Sequence, residues 1–186
     1  MTKYTTEGLI GIAISAITYA LLFYLNDWLT QYVVYGLGVS WIYLPAGLRL
    51  FLTLIFGFPG ALGIALATFL ISYLGVFSQD LVTCIGIAII SGFAPYLARV
   101  FVLMNIKIAP DLSDLNFPKL LFCMVIYALF SSGLHQWWFA TRGLANTGGI
   151  NYFIAMFTGD VMGTVLLVTS IKYGLDYLKD FRKIRP

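Results

Sequence analysis

Residues 44–77 read LPAGLRLFLTLIFGFPGALGIALATFLISYLGVF. Two apolar runs, 44–58 and 61–77, flank the segment Gly57-Phe58-Pro59-Gly60. A helix needs about 20 residues to cross the hydrocarbon core of a bilayer, and each run is shorter than that. Pro and Gly together interrupt a helix. The stretch is either two short helices folded back as a tight hairpin or one kinked span. That choice sets the parity of the whole chain.

Charge selects the hairpin. Four further apolar runs cover 8–25, 81–104, 119–140 and 151–171. With six spans, Lys3, Lys107, Lys119, Lys172, Lys179, Arg182, Lys183 and Arg185 fall on one side, and only Arg142 falls on the other. Basic residues collect on the cytoplasmic side of membrane proteins. A single kinked span would place Lys107 and the basic tail outside. The sequence thus predicts an all-α polytopic membrane helix bundle of about six transmembrane spans with both termini cytoplasmic. Residues 1–171 form the transmembrane domain and 172–186 a basic amphipathic tail, expected to lie as a short helix on the inner leaflet.

Composition points the same way. Of 186 residues, 60% are hydrophobic and only 10% charged, where a soluble domain carries about a quarter charged. Too little polar surface remains to cover a globule in water, so the bilayer is the first partner. The net charge of +3 sits mainly in the tail and suits an anionic inner leaflet, not nucleic acid. The first apolar run lacks a small-x-small cleavage site and reads as a retained span. The expected location is a bacterial inner membrane, multi-pass.

Two connections stand out. Residues 26–43 are long and rich in aromatics, and are expected to close over the outer mouth as a short helix or re-entrant cap. Residues 105–118 carry Asp111, Asp114 and Asn116 ahead of the fifth run, where such residues cap helix N-termini.

Ionisable groups inside apolar runs are costly and mark functional sites. Arg49 lies roughly 8 Å inside the second run, His135 about as deep in the fifth, and Asp160 about 14 Å down the sixth. All three are expected to share one outward-facing ligand cavity, with Trp41, Tyr43 and Trp138 as aromatic groups at its rim. Arg99 sits at the inner end of the fourth run and is left out. Arg49 and Asp160 are expected to interact, as a structural ion pair or as direct ligand contacts in equal measure. For His135, a hydrogen bond to a neighbouring helix or to Ser131 is preferred over a ligand role. Pro95 leaves the Ser91 carbonyl without its helical partner and kinks the fourth run. Small residues pair at Ala16 and Ala20, Gly63 and Ala67, and Gly159 and Gly163. Such pairs let helices approach closely, and Ala16 and Ala20 also make a candidate partner interface.

Nothing here indicates catalysis. A paired-aspartate intramembrane protease needs a second membrane Asp. A Ser–His dyad fails because Ser131, Ser132 and His135 share one helix. No buried Lys offers a Schiff base, and no phosphate-binding loop occurs. One His with two Cys, Cys84 and Cys123, makes no metal cluster. The cofactor is unknown from sequence.

Two resemblances complete the reading. Residues 41–47, WIYLPAG, followed by an apolar run and Gly57, resemble the early Trp-Pro-x-Gly segment of the MASE-type bacterial membrane-associated sensor domain. Residues 159–167, GDVMGTVLL, resemble that domain's late Asp-x-x-Gly-x-Leu segment. This implies a sensory or signalling module. No output domain follows residue 171, so it would act through a membrane protein partner. Size, six spans and a lid-like first outer loop are similar to the substrate-binding S-component of energy-coupling-factor vitamin transporters, whose first helix carries an Ala-x-x-x-Ala face for its coupling subunit. An accessory structural subunit of a larger complex is the third expectation.

Overall fold

The computed structural model describes residues 2–76, 80–106, 114, 116–144 and 147–184. Among them are six α-helices: α1 (Thr2–Thr30), α2 (Leu44–Phe56), α3 (Phe58–Ile71), α4 (Leu81–Asn105), α5 (Phe117–Thr141) and α6 (Ile150–Ile184). Five of them, α3 counted with the π turn that follows it, are long and apolar enough to cross a membrane; α2 is shorter. The chain is an all-α bundle of the multi-pass membrane type. Its outer surface is apolar, with Leu9, Ile17, Leu21, Leu66, Leu70 and Ile89 all exposed, as lipid requires.

The chain reverses at Gly57, whose φ of 60° favours a residue without a Cβ. Pro follows in the first turn of α3, where it costs no hydrogen bond. Gly60 then lies against the Leu52 carbonyl, with no room for a Cβ. The hairpin, not the kinked span, is what forms.

The shortness of α2 follows from its position. It touches all five other helices, and its buried residues include Leu50, Leu54 and the charged Arg49. A central helix need not match the bilayer, and it can carry a charge that a lipid-facing helix would not tolerate. Around it, α1 packs on α3, α3 on α4, α4 on α5, and α5 on α6. Small residues set these approaches. A Cβ on Gly63 would overlap the Ile12 carbonyl of α1, and one on Gly92 the Ala61 carbonyl of α3. Asp80 caps α4 by accepting from the Thr83 amide, and Asn116 caps α5 by accepting from the Lys119 amide at 3.1 Å. Asp114 pairs with Lys119 at 2.7 Å, while Lys107 and Asp111 lie outside the described residues.

Two expectations are corrected. The cap over 26–43 is not a short helix or re-entrant segment. Its first residues extend α1 to Thr30, a 3-10 turn spans Gln31–Val33, and a two-stranded antiparallel hairpin follows: β1 (Val34–Gly36) with β2 (Val39–Ser40). Val33, Val34, Tyr35 and Val39 favour extended backbone, and Gly38, with φ of 68°, makes the turn. The tail is not a separate surface helix, because α6 runs unbroken to Ile184; the lone Gly174 does not stop it. Gly159 and Gly163 serve close internal packing, Gly163 against the first residue of α2. They receive the Ser40 and Tyr43 carbonyls, so α6 packs there on the strand-to-helix connection.

Candidate functional site

The C-terminal ends of α1, α3 and α5 meet the N-terminal ends of α2, α4 and α6 beneath the β-hairpin. A cavity of about 170 Å³ lies there. Its lining includes Gly36, Gly38 and Ser40 of the cap, and Tyr19, Tyr43, Arg49, Thr68, Ser91 and His135 within the bundle.

Arg49 is 4% exposed. Its guanidinium is held between two tyrosines. Nη2 donates to the Tyr19 hydroxyl at 2.5 Å and the Tyr43 hydroxyl at 3.0 Å, and the two hydroxyls lie 3.0 Å apart. The guanidinium carbon stands 5.1 Å from each ring centroid, in cation–π range. Nε is buried without a partner, as is the Thr68 hydroxyl across the cavity. Tyr43 is positioned by its backbone, which donates to the Gly159 carbonyl at 3.1 Å. The start of α2 is fixed by Asn26, whose Oδ1 accepts from the Leu44 amide at 2.9 Å.

His135 is satisfied on both ring nitrogens. Nδ1 faces the Ser131 carbonyl at 2.8 Å, and Nε2 faces Ser91 Oγ at 3.2 Å. A carbonyl only accepts, so Nδ1 carries the proton. In the neutral ring Nε2 then accepts from Ser91. Ser91 is the residue whose carbonyl Pro95 leaves without its helical partner, while α4 itself continues through Pro95.

Arg49, His135 and Tyr43 thus line one cavity. Asp160 does not join them. It is 1% exposed on α6, outside the cavity lining, and neither carboxyl oxygen has a hydrogen-bond partner. Ser131 and Tyr127, whose hydroxyls also lack partners, surround it, and the Arg49 charge acts on it from beyond contact distance. No ion pair joins Asp160 to Arg49, because the guanidinium is turned toward the tyrosines. Trp41 also stays off the cavity and packs edge-on against Tyr35, centroids 5.3 Å apart. Trp138 packs on α4, its ring filling the space beside Gly86 and its Nε1 donating to the Thr83 carbonyl at 3.2 Å. Ala16 and Ala20 are half-buried in the α1–α3 seam and line a shallow apolar groove with Leu66 and Leu70.

Polar lining residues that the sequence reading did not assign to the cavity include Tyr19, Asn26, Thr68 and Ser91. Tyr19 and Thr68 carried a usable signal, being hydroxyls deep in apolar runs that need a polar neighbour. Among the described residues no three His, Cys, Asp or Glu side chains converge on a metal position, and Cys84 and Cys123 are buried free thiols.

At the mouth of the bundle a second polar group ties α4 to α5. Arg142 donates to Asp80 from Nη2 at 3.0 Å and to the Thr83 hydroxyl from Nε at 2.9 Å. The Thr83 hydroxyl in turn donates to Asp80 at 2.5 Å. Thr83 first, then Arg142, hold the Asp80 carboxyl down at about 2.

No protein-family model, curated protein or solved structure matches this chain.

Proposed function

We propose that this protein is a non-catalytic module of a bacterial inner membrane that binds a small ligand in the capped cavity and signals through a partner protein. The observation that carries this reading is a buried, permanently charged Arg49 lining a cavity, held by hydroxyls and not by a carboxylate. In this reading the chain crosses six times, α2 and α3 forming the hairpin pair, with the β-hairpin outside and both ends in the cytoplasm. Lys119, Lys172 and Lys179 then face inward, and Arg142 outside is matched by Asp80.

The MASE-like sensory reading gains support from packing. The two segments that carry the resemblance touch: Gly159 and Gly163 seat the Ser40 and Tyr43 carbonyls, and Gly47 faces the Thr164 backbone. The same helix reaches from the cavity to the far side. Met156 lines the cavity, and α6 continues to Ile184. Its 35 residues extend about 52 Å, well beyond a hydrocarbon core of about 30 Å. A ligand-dependent shift of α6 would be felt by a cytoplasmic partner.

A second reading, the transporter S-component, is favoured by one different observation: the half-buried Ala16 and Ala20 beside a membrane-facing apolar groove. Gentle purification from the native membrane, followed by mass spectrometry of proteins and small molecules together, separates the two. A signalling protein recovered with the chain supports the sensory reading. A coupling ATPase recovered with it, lost on Ala16→Leu, supports the transporter reading. A partner with no ligand, and no effect of cavity substitutions on it, would leave only an accessory structural role.

A further inference from the structure

We infer that the ligand of the Arg49 cavity is a small organic monocarboxylate with an apolar body about the size of a benzene ring. This inference rests on the ligand-binding reading and adds the chemical class.

The charge comes first. Arg stays protonated at any working pH. A lone guanidinium taken out of water is costly unless an anion or several acceptors meet it. Here the partners are two neutral hydroxyls on one nitrogen, Nη2, and Nε has none. The ion pairs among the described residues join Lys119 to Asp114, Arg142 to Asp80 and Lys179 to Asp176, and none involves Arg49. The carboxylate that could have neutralised it, Asp160, lies outside the cavity. One carboxylate does line the cavity, Asp27, but it is exposed and lies two turns beyond Tyr19 on α1, about 12 Å along the helix. It belongs to the rim. Among the described residues no carboxylate touches the guanidinium, and Asp160 acts on it only from outside the cavity.

Hydrogen-bond donors line the same cavity. Tyr19 and Tyr43 both accept from Arg49, and one donates to the other. That leaves one phenolic proton unused. The Thr68 hydroxyl is buried and partnerless. His135 offers no spare donor, because both its nitrogens are engaged. Arg49 Nε, a phenol and Thr68 are therefore free to donate, and a carboxylate accepts several such bonds on two oxygens.

Size and walls select the body. A cavity of about 150 Å³ lined by apolar side chains accommodates benzene, and this one measures about 170 Å³. Phe23, Ile71, Ile87, Phe139 and Met156 supply apolar wall. Inorganic phosphate would leave that wall unfilled, and a neutral apolar molecule would leave Arg49 unanswered.

The test uses the full chain in detergent micelles, with isothermal titration and thermal shift. The probes are benzoate, benzamide as its neutral isostere, a series of short-chain carboxylates, and inorganic phosphate. Benzoate is expected to bind about tenfold or more tightly than benzamide, and phosphate not to compete. Arg49→Lys is expected to weaken benzoate about tenfold. Tyr43→Phe and Thr68→Val, which keep the charge and the packing, should weaken it several-fold even if the Lys variant does not fold. Equal binding of benzoate and benzamide would overturn the carboxylate inference and leave the ligand-binding reading standing. Competition by phosphate would overturn the apolar body. Absence of binding by every probe would overturn the inference and the ligand-binding reading together.

Discussion

Arg49 and Asp160 are opposite charges, both buried in the bundle interior, and they do not close an ion pair. Arg49 turns to Tyr19 and Tyr43, and Asp160 keeps two partnerless oxygens. Tyr127 interacts with both. An interior carboxylate without partners is a liability, and removing its charge should help. Asp160→Asn is expected to stabilise the protein by about 1 kcal/mol, read from equilibrium unfolding in mixed micelles. Arg49→Gln should destabilise, and because Tyr127 is shared the double variant should depart from additivity by about 0.5–1 kcal/mol. A coupling of about 3 kcal/mol would show that the two charges pair directly in the membrane.

The glycines of α6 differ sharply in what they face. The Tyr43 carbonyl occupies the space a Cβ on Gly163 would need, while Gly174 has nothing within 4 Å. Gly163→Ala must push the connection to α2 off α6 and is expected to cost about 1–3 kcal/mol or more. Because Tyr43 follows its backbone, the variant should also weaken ligand binding. Gly174→Ala changes only helix propensity and should be neutral or stabilising by up to about 1 kcal/mol. Equal effects at the two positions would contradict the close approach of the two motif segments.

Ser91 and His135 make one hydrogen-bonded unit. Ser91→Ala leaves Nε2 of a buried imidazole without its donor, at a cost of about 1–3 kcal/mol. Once the ring is gone, in a His135→Leu background, the same Ser91→Ala change should cost far less. A full-sized penalty in both backgrounds would mean that Ser91 serves some other group.

The bundle was legible in the sequence because lipid imposes a coarse rule. Apolar runs, a Gly-Pro break and the side on which lysines fall are enough to predict the helices and the reversal at Gly57. The cavity was half legible. Arg49 and His135 stood out as polar groups in apolar runs, and their depths placed them together. Asp160 stood out for the same reason and was misassigned, because depth along a helix says nothing about which way the side chain faces. Trp41 and Trp138 were misassigned likewise: an aromatic at a span end reads the same whether it lines a cavity or packs on a neighbouring helix. The cap was misread because Val and Tyr in 33–39 are as common at membrane surfaces as in strands. Of the two partners of Arg49, Tyr43 was named and Tyr19 was not: a hydroxyl deep in an apolar run signals a polar neighbour, but which neighbour is fixed only where the start of α2 lies against α1.

Asp80, Thr83 and Arg142 form the polar tie at the mouth, where α4 begins and α5 ends. The Asp80 carboxyl is held at about 2 against an ordinary value of 3.8. A carboxyl whose value is lowered by folding stabilises the folded state when ionised. Its contribution is therefore complete above 3.8 and is lost as pH falls through about 2. Asp80→Asn keeps the shape but gives up the charge that Arg142 and Thr83 recognise. The melting temperature of the variant should fall below that of the wild type by a constant margin at every pH above about 5. Between about 4 and 2 the wild-type curve should bend down toward the variant's, and the margin should close. Because the group is open to solvent, the margin should also shrink in high salt. A margin that persisted unchanged to pH 2 would mean that the loss came from packing and not from the Asp80 charge.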